Sequence, residues 1–252
     1  MVKKPIIIAN WKMYVEKPEA VKRFSLALKR RSKLLSRVEV MVAPPFTLLS
    51  MLSSAFPKSK TVRVGAQTIS GHADKQHTGE VSGVMLKALG ASMAIIGHSE
   101  RRAEGETDDV VRMQMKAASA SGLLAVLCVG EKERDPAGGH FGFIEQQLSN
   151  ALKDKMGGKL IVAYEPVWAI GKQAGDAMKP QDLEEMVIFI RKTLADLMGR
   201  PAALKVPILY GGSVEGSNAA ELLKEGTVSG FLVGHASAEA DTFLEIIEAA
   251  SK

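Results

Sequence analysis

Cysteine is nearly missing from this chain: Cys128 stands alone among 252 residues. No internal disulfide and no cysteine-based metal cluster can form, and a reducing, cytoplasmic setting is the expectation. Aromatic residues are scarce at 5%. None interleaves with the densest basic cluster, Lys29-Arg30-Arg31-Ser32-Lys33, which argues against a base-stacking platform for nucleic acid. Those cations close a predicted helix, where they offset the macrodipole. The net charge of +5 is then left to an acidic surface or a small anionic substrate. Long apolar runs are also lacking. The longest, Leu123 to Val129, falls far below the roughly 18 residues of a membrane span. The run Pro5 to Ala9, interrupted by Asn10 and Lys12, is too short for the apolar core of a secretion signal, about 7–15 residues. No membrane association is expected. No linker rich in Pro, Ser or Gly divides the chain, so one domain over residues 1–252 is expected. Neither a dinucleotide fingerprint, a phosphate-binding P-loop nor metal-ligand spacing occurs, so no cofactor and no metal are expected.

What is abundant is apolar residue, 46% of the chain, enough for a large core. It is distributed as eight short β-like runs: Ile6 to Ala9, Val38 to Ala43, Val62 to Ala66, Met93 to Ile96, Leu123 to Val129, Leu160 to Ala163, Val206 to Leu209 and Gly230 to Val233. Helical patterns lie between them, among them Ala20 to Leu35, Asp108 to Ser121, Phe141 to Lys155, Asp182 to Met198, Asn218 to Lys224 and Ala238 to Ala250. Thr107 and Ser217 are candidate helix caps, and Pro180 suits a first helical turn. Continuous apolar runs alternating with helices imply parallel strands buried on both faces. Eight such units favour closure into an α/β barrel. The rival open, doubly wound sheet would carry a glycine fingerprint in its first turn, where this chain has Ile8-Ala9-Asn10-Trp11-Lys12.

Closed barrels do chemistry at the carboxyl ends of their strands, so the residues after each run carry the functional signal. The first run leads to Asn10 and Lys12, the third to Gln67, the fourth to His98-Ser99-Glu100 and the fifth to Gly130-Glu131. The sixth leads to Glu165, the seventh to Gly211-Gly212-Ser213 and the eighth to Gly234. Glu165 stands directly before Pro166, whose ring fixes φ, with Gly171 free to bend beyond it. A carboxylate so placed is either a turn cap or a general base under a hinged loop. Lys12 is either a surface cation or a group that meets an anionic substrate; His98 is either structural or a donor to a carbonyl oxygen. Glu100 can pair with Lys12 and fix its position. Gly-rich turns at Ser213 and Gly234, in consecutive units, bring backbone N–H groups toward one point suited to phosphate. A base, two donors and a phosphate grip are what proton abstraction next to a carbonyl requires.

The segments Asn10-Trp11-Lys12, Thr78-Gly79-Glu80, Gly97-His98-Ser99-Glu100-Arg101-Arg102, Tyr164 to Gly171 and Tyr210-Gly211-Gly212-Ser213 resemble the triosephosphate isomerase family, in order and across nearly the whole chain. The resemblance implies a single (β/α)8 TIM barrel, no cofactor, and interconversion of dihydroxyacetone phosphate and glyceraldehyde 3-phosphate. It makes Glu165 the base and His98 and Lys12 the electrophiles, as in the glutamate, neutral histidine and closing lid described for that family. Asn10 orients substrate, Ser99 and Glu100 support the site, and Gly171, Ser213 and Gly234 hold phosphate. Pro166-Val167-Trp168 becomes the first hinge of the lid. Thr78, Gly79 and Glu80 enter a pocket of a second subunit, giving a homodimer in which Arg101 meets Glu80. Cys128 is a packing residue.

The chain departs from the family pattern in two places. Its lid continues as Lys172-Gln173-Ala174-Gly175-Asp176-Ala177-Met178, slightly longer than usual, with Gly175 a candidate for the second lid glycine. After the eighth run a second glycine is replaced in Gly234-His235-Ala236-Ser237. His235 still offers its backbone N–H to phosphate, and its side chain is expected to face outward. These departures leave an isomerase of a four-carbon ketose phosphate as the rival enzyme, and a non-catalytic phosphate-binding barrel as the non-enzyme alternative. A Schiff-base aldolase is disfavoured because Lys159 precedes the sixth run instead of ending it.

Overall fold

The computed structural model describes residues 4–57, 59–154, 158–171 and 178–252. The apolar runs form β1 (Ile6–Asn10), β2 (Glu39–Ala43), β3 (Val62–Val64), β4 (Met93–Ile96), β5 (Leu124–Val129), β6 (Leu160–Tyr164), β7 (Ile208–Tyr210) and β8 (Gly230–Val233). They pair in parallel in the order β3-β2-β1-β8-β7-β6-β5-β4. The two ends of that sheet meet at Ala66 and Ala94: Ala66 N–H donates to Met93 O and Ile95 N–H to Ala66 O, each at 2.9 Å. The sheet therefore rolls into a barrel, which joins edges that would otherwise expose unpaired backbone groups. β7 begins after Pro207 and not at Val206, because proline lacks the N–H that a ladder position needs.

The strand period of two explains why the runs are apolar throughout. Ile6 and Ile8 of β1, Met93 and Ile95 of β4, and Val126 and Cys128 of β5 point inward and fill the barrel. Their neighbours Ile7, Ala94, Ile96 and Leu127 point outward into a second core beneath the helices.

The helices are α1 (Pro18–Arg30), α2 (Ser32–Leu35), α3 (Phe46–Ala55), α4 (Gly83–Ala88), α5 (Ser99–Ala103), α6 (Asp108–Ala120), α7 (Gly139–Leu152), α8 (Pro180–Met198), α9 (Arg200–Ala203), α10 (Ala219–Glu225) and α11 (Ala240–Ala250). α1 buries Val21, Phe24 and Leu28, the spacing of one helical face. The single helix expected over Ala20 to Leu35 is broken at Arg31, with φ −107° and ψ 29°. Continuing the buried stripe past Leu28 would place Arg31 and Ser32 against the core; the break leaves both in solvent and returns Leu35 to the interior. Thr107 caps α6 by accepting Val110 N–H at 3.4 Å, and Pro180 opens α8. Ser217 does not cap α10. The preceding residue of that helix is Asn218, whose amide instead bridges Glu215 N–H (2.9 Å) and Ser213 O (3.2 Å), tying the helix start to the loop after β7. Among the described residues no helix is long and apolar enough to cross a membrane, and no group of three or more His, Cys, Asp or Glu side chains is placed to hold a metal ion.

Candidate active site

At the carboxyl ends of the strands lies a cavity of about 370 Å3, lined by Asn10, Lys12, Tyr14, His98, Glu165, Gly171, Ser213, Gly234 and His235 among others. A larger hollow of about 1800 Å3 sits at the opposite end of the barrel, around Ile6, Leu124, Ile161 and Arg191, and contains none of these groups. The smaller one is the candidate, since convergent polar groups mark a site better than volume does.

Glu165, the first residue after β6, is only 2% exposed. Its Oε2 accepts the backbone N–H of Ser99 at 3.1 Å, and its Oε1 lies 3.2 Å from His98 Nε2. His98, after β4, is 7% exposed. Its Nδ1 accepts Glu100 N–H at 3.2 Å. A backbone donor at Nδ1 fixes the tautomer: the ring proton of a neutral imidazole is then on Nε2, the nitrogen facing Glu165 and the cavity. Lys12 comes from the loop after β1, with φ +44°. Gln67 holds that loop by donating to Lys12 O (2.9 Å) and Ala43 O (3.0 Å), and Asn10 Oδ1 accepts Lys12 N–H at 3.2 Å. Lys12 Nζ reaches Glu100 Oε1 at 2.6 Å. Three residues distant in sequence thus face one small volume: a carboxylate, an imidazole N–H and an ammonium.

The far end of the cavity is built from backbone. Gly171, at φ +71°, Ser213 and Gly234 all line it. A Cβ on Gly211 would lie 2.8 Å from Glu165 Cγ, so the glycine there lets the loop after β7 pack onto the carboxylate. His235 opens a short 3-10 turn, His235–Ser237, and its φ is not positive, so replacing glycine there costs no backbone strain. The residue is exposed, and its ring meets the exposed Tyr14 edge-on, centroids 5.0 Å apart, where both residues border the cavity.

The chain following Glu165 is anchored by Glu131, which is 2% exposed. One carboxylate oxygen of Glu131 accepts Tyr164 OH and Trp168 Nε1–H, both at 2.8 Å, and its carbonyl accepts Val167 N–H at 2.9 Å. Burial, with the Glu131 charge second, pushes the Tyr164 phenol far above its usual range. Tyr210 OH accepts Met178 N–H at 3.3 Å, and burial pushes its pKa up to about 12. Ser213 Oγ donates to Ala169 O at 3.0 Å. Lys172 to Ala177, including Gly175, lie outside the described residues. Cys128, fully buried beneath Glu165, has its thiol held well above the usual range by burial first and by the Glu165 carboxylate second.

Thr78, Gly79 and Glu80 are exposed on the loop between β3 and α4, outside the cavity. Arg101, expected to meet Glu80 of a second subunit, is engaged within its own chain by Glu106 at 3.2 Å and Glu104 at 3.6 Å. Glu131 and Gln147, which also serve this region, belong to no motif in the sequence. Glu131 follows an apolar run as the other site residues do, which was its signal. Gln147 sits on the buried stripe Ile144, Gln147, Leu148, Ala151 of α7, and a polar residue on an apolar stripe was the trace it left.

A parallel barrel whose strand ends converge a buried carboxylate, an imidazole and an ammonium beside a backbone-lined pocket is a (β/α)8 barrel of the isomerase class. A family profile described as triosephosphate isomerase matches residues 5–250. Triosephosphate isomerases of Saccharopolyspora erythraea and Endomicrobium trichonymphae are each 41% identical to this chain over 98% of it, covering 96% and 99% of those proteins. The crystal structure of triosephosphate isomerase from Bartonella henselae superposes with a TM-score of 0.85 at 34% identity, covering 99% of this chain and 100% of that one. The chain belongs to the triosephosphate isomerase family.

Proposed function

We propose that the cavity binds dihydroxyacetone phosphate and D-glyceraldehyde 3-phosphate and interconverts them through an enediolate, with Glu165 as the base. The carboxylate takes a proton from the carbon next to the carbonyl. The electron pair of that C–H bond becomes the C=C of the enediolate, and the carbonyl π pair moves onto oxygen. His98 Nε2–H and Lys12 Nζ face that oxygen and stabilise its charge; the hydroxyl proton of the adjacent carbon passes to it, the O–H pair so released forms the new carbonyl, and the C=C pair takes the proton that Glu165 returns to the neighbouring carbon. No net oxidation occurs. Asn10 orients the substrate, while Ser99 and Glu100 fix Glu165, His98 and Lys12 through the contacts described above. Gly171, Ser213, Gly234 and the N–H of His235 hold the phosphate. The lid beginning at Pro166-Val167-Trp168 excludes water, so that the enediolate does not eliminate phosphate.

The observation that carries this reading is the convergence of Glu165, His98 and Lys12 on one cavity. The whole chain, 1–252, is proposed to act as one domain and to form a cytoplasmic homodimer through Thr78, Gly79 and Glu80, serving glycolysis and gluconeogenesis. Following glyceraldehyde 3-phosphate conversion in Glu165→Gln tests the base. General acid–base catalysis contributes about 10²–10⁴ in rate, and a loss of that order is expected. A variant as fast as the wild type would refute the assignment.

A further inference from the structure

Gly130, between β5 and Glu131, has to be bare. A Cβ there would lie 1.8 Å from Glu165 O and 2.5 Å from its carbonyl carbon. The peptide of the candidate base therefore rests directly on this glycine. Its two neighbours hold the chain on either side of Glu165: Val129 O accepts Glu165 N–H at 2.8 Å, and Glu131 binds Tyr164, Val167 and Trp168. A residue with no side chain cannot anchor itself, and glycine is the most mobile of backbones. The anchor comes from α7. Gln147, 4% exposed, accepts Gly130 N–H on its Oε1 at 2.9 Å and donates from Nε2 to Gly130 O at 3.4 Å. One terminal amide thus holds both peptides that flank the glycine.

We infer that Gln147 is a positioning residue for Glu165: it acts through Gly130 to hold the base's peptide, and with it the first lid hinge, in the reactive geometry. The inference rests on the reading of Glu165 as base. An amide is the side chain that offers an acceptor and a donor at one end without charge. Methionine matches its length and offers neither in useful strength. Glutamate keeps the acceptor for the shorter bond but presents a second oxygen to Gly130 O until it is protonated.

The test compares wild type, Gln147→Met, Gln147→Glu and Glu165→Gln well below their melting temperatures, reading kcat, KM, the inhibition constant of inorganic sulfate and thermal stability. Misplacing a reacting group by about 1 Å can cost about 100-fold in rate. We expect Gln147→Met to lose about tenfold in kcat, with KM and the sulfate constant within about twofold, because most of the phosphate grip, Ser213, Gly234 and His235, lies on other loops. Gln147→Glu is expected to regain activity relative to wild type as pH falls and the carboxyl gains a donor proton. A structural role alone would lower the melting temperature and leave kcat unchanged. If Gln147→Met keeps wild-type kcat while Glu165→Gln is inactive, the inference fails by itself. If Glu165→Gln is fully active, the assignment of the base fails with it.

Discussion

Removing the Tyr164 hydroxyl should destabilise the molecule through a group 33 residues away in sequence. Tyr164 is fully buried and donates at 2.8 Å to Glu131, itself 2% exposed. That oxygen also receives Trp168, while the other carboxylate oxygen of Glu131 has no hydrogen-bond partner among the described residues. In Tyr164→Phe a buried carboxylate would keep a single side-chain donor. Hydrogen bonds to charged groups contribute about 1.5–3 kcal/mol, and the dry surroundings place this one toward the upper part of that range. At about 2–4 °C per kcal/mol for a chain of this length, the melting temperature should fall by roughly 3–12 °C. The pairwise part is isolated by a double-mutant cycle with Glu131→Gln, which keeps an acceptor but removes the charge. Urea unfolding of the four proteins at one fixed concentration gives the coupling, since association would otherwise shift apparent stability. A coupling below about 0.5 kcal/mol would refute the argument, because a desolvated phenol–carboxylate pair cannot be that weak unless water replaces the lost donor.

Two further outcomes follow from the site and its surroundings. Sulfate inhibition of wild type and His235→Asn, compared at one pH and constant ionic strength, reads the contribution of the His235 ring to the anion site. The ring stands exposed against Tyr14 at the cavity mouth, so the two inhibition constants should agree within about twofold; a clearly weaker sulfate affinity on substitution would place the ring in the phosphate grip. Sedimentation should give a dimer whose activity falls as dilution separates the protomers, and a fully active monomer would contradict the role given to Thr78, Gly79 and Glu80.

Much of the fold was legible because parallel strands buried on both faces leave uninterrupted apolar runs, and two of them, Met93–Ile96 and Gly230–Val233, coincide with β4 and β8. The cavity was legible for a related reason: each polar residue after a run is delivered to the same end of the barrel, which is how Lys12, His98 and Glu165 come together. Less was visible where a position depends on packing between distant segments. The break at Arg31 follows from which face of α1 docks, a fact absent from the local pattern, since Ala20 to Leu35 reads as continuous helix. The start of α10 turns on Asn218 reaching back to Ser213 and Glu215, with no side-chain cap on the helix itself, which the cap signal at Ser217 did not reveal. Gln147 and Glu131 act through Gly130, Tyr164 and Trp168 over separations of 17 to 37 residues. No spacing rule within one element encodes such contacts.

Because the chain's lone sulfhydryl lies sealed inside the staves, starved of water and kept protonated by that dryness and by a neighbouring negative charge, alkylating reagents can reach it only when the barrel comes apart. Cys128 is therefore a stopwatch: under native conditions the pace of its modification counts how often the whole molecule opens, with no label introduced and no residue changed.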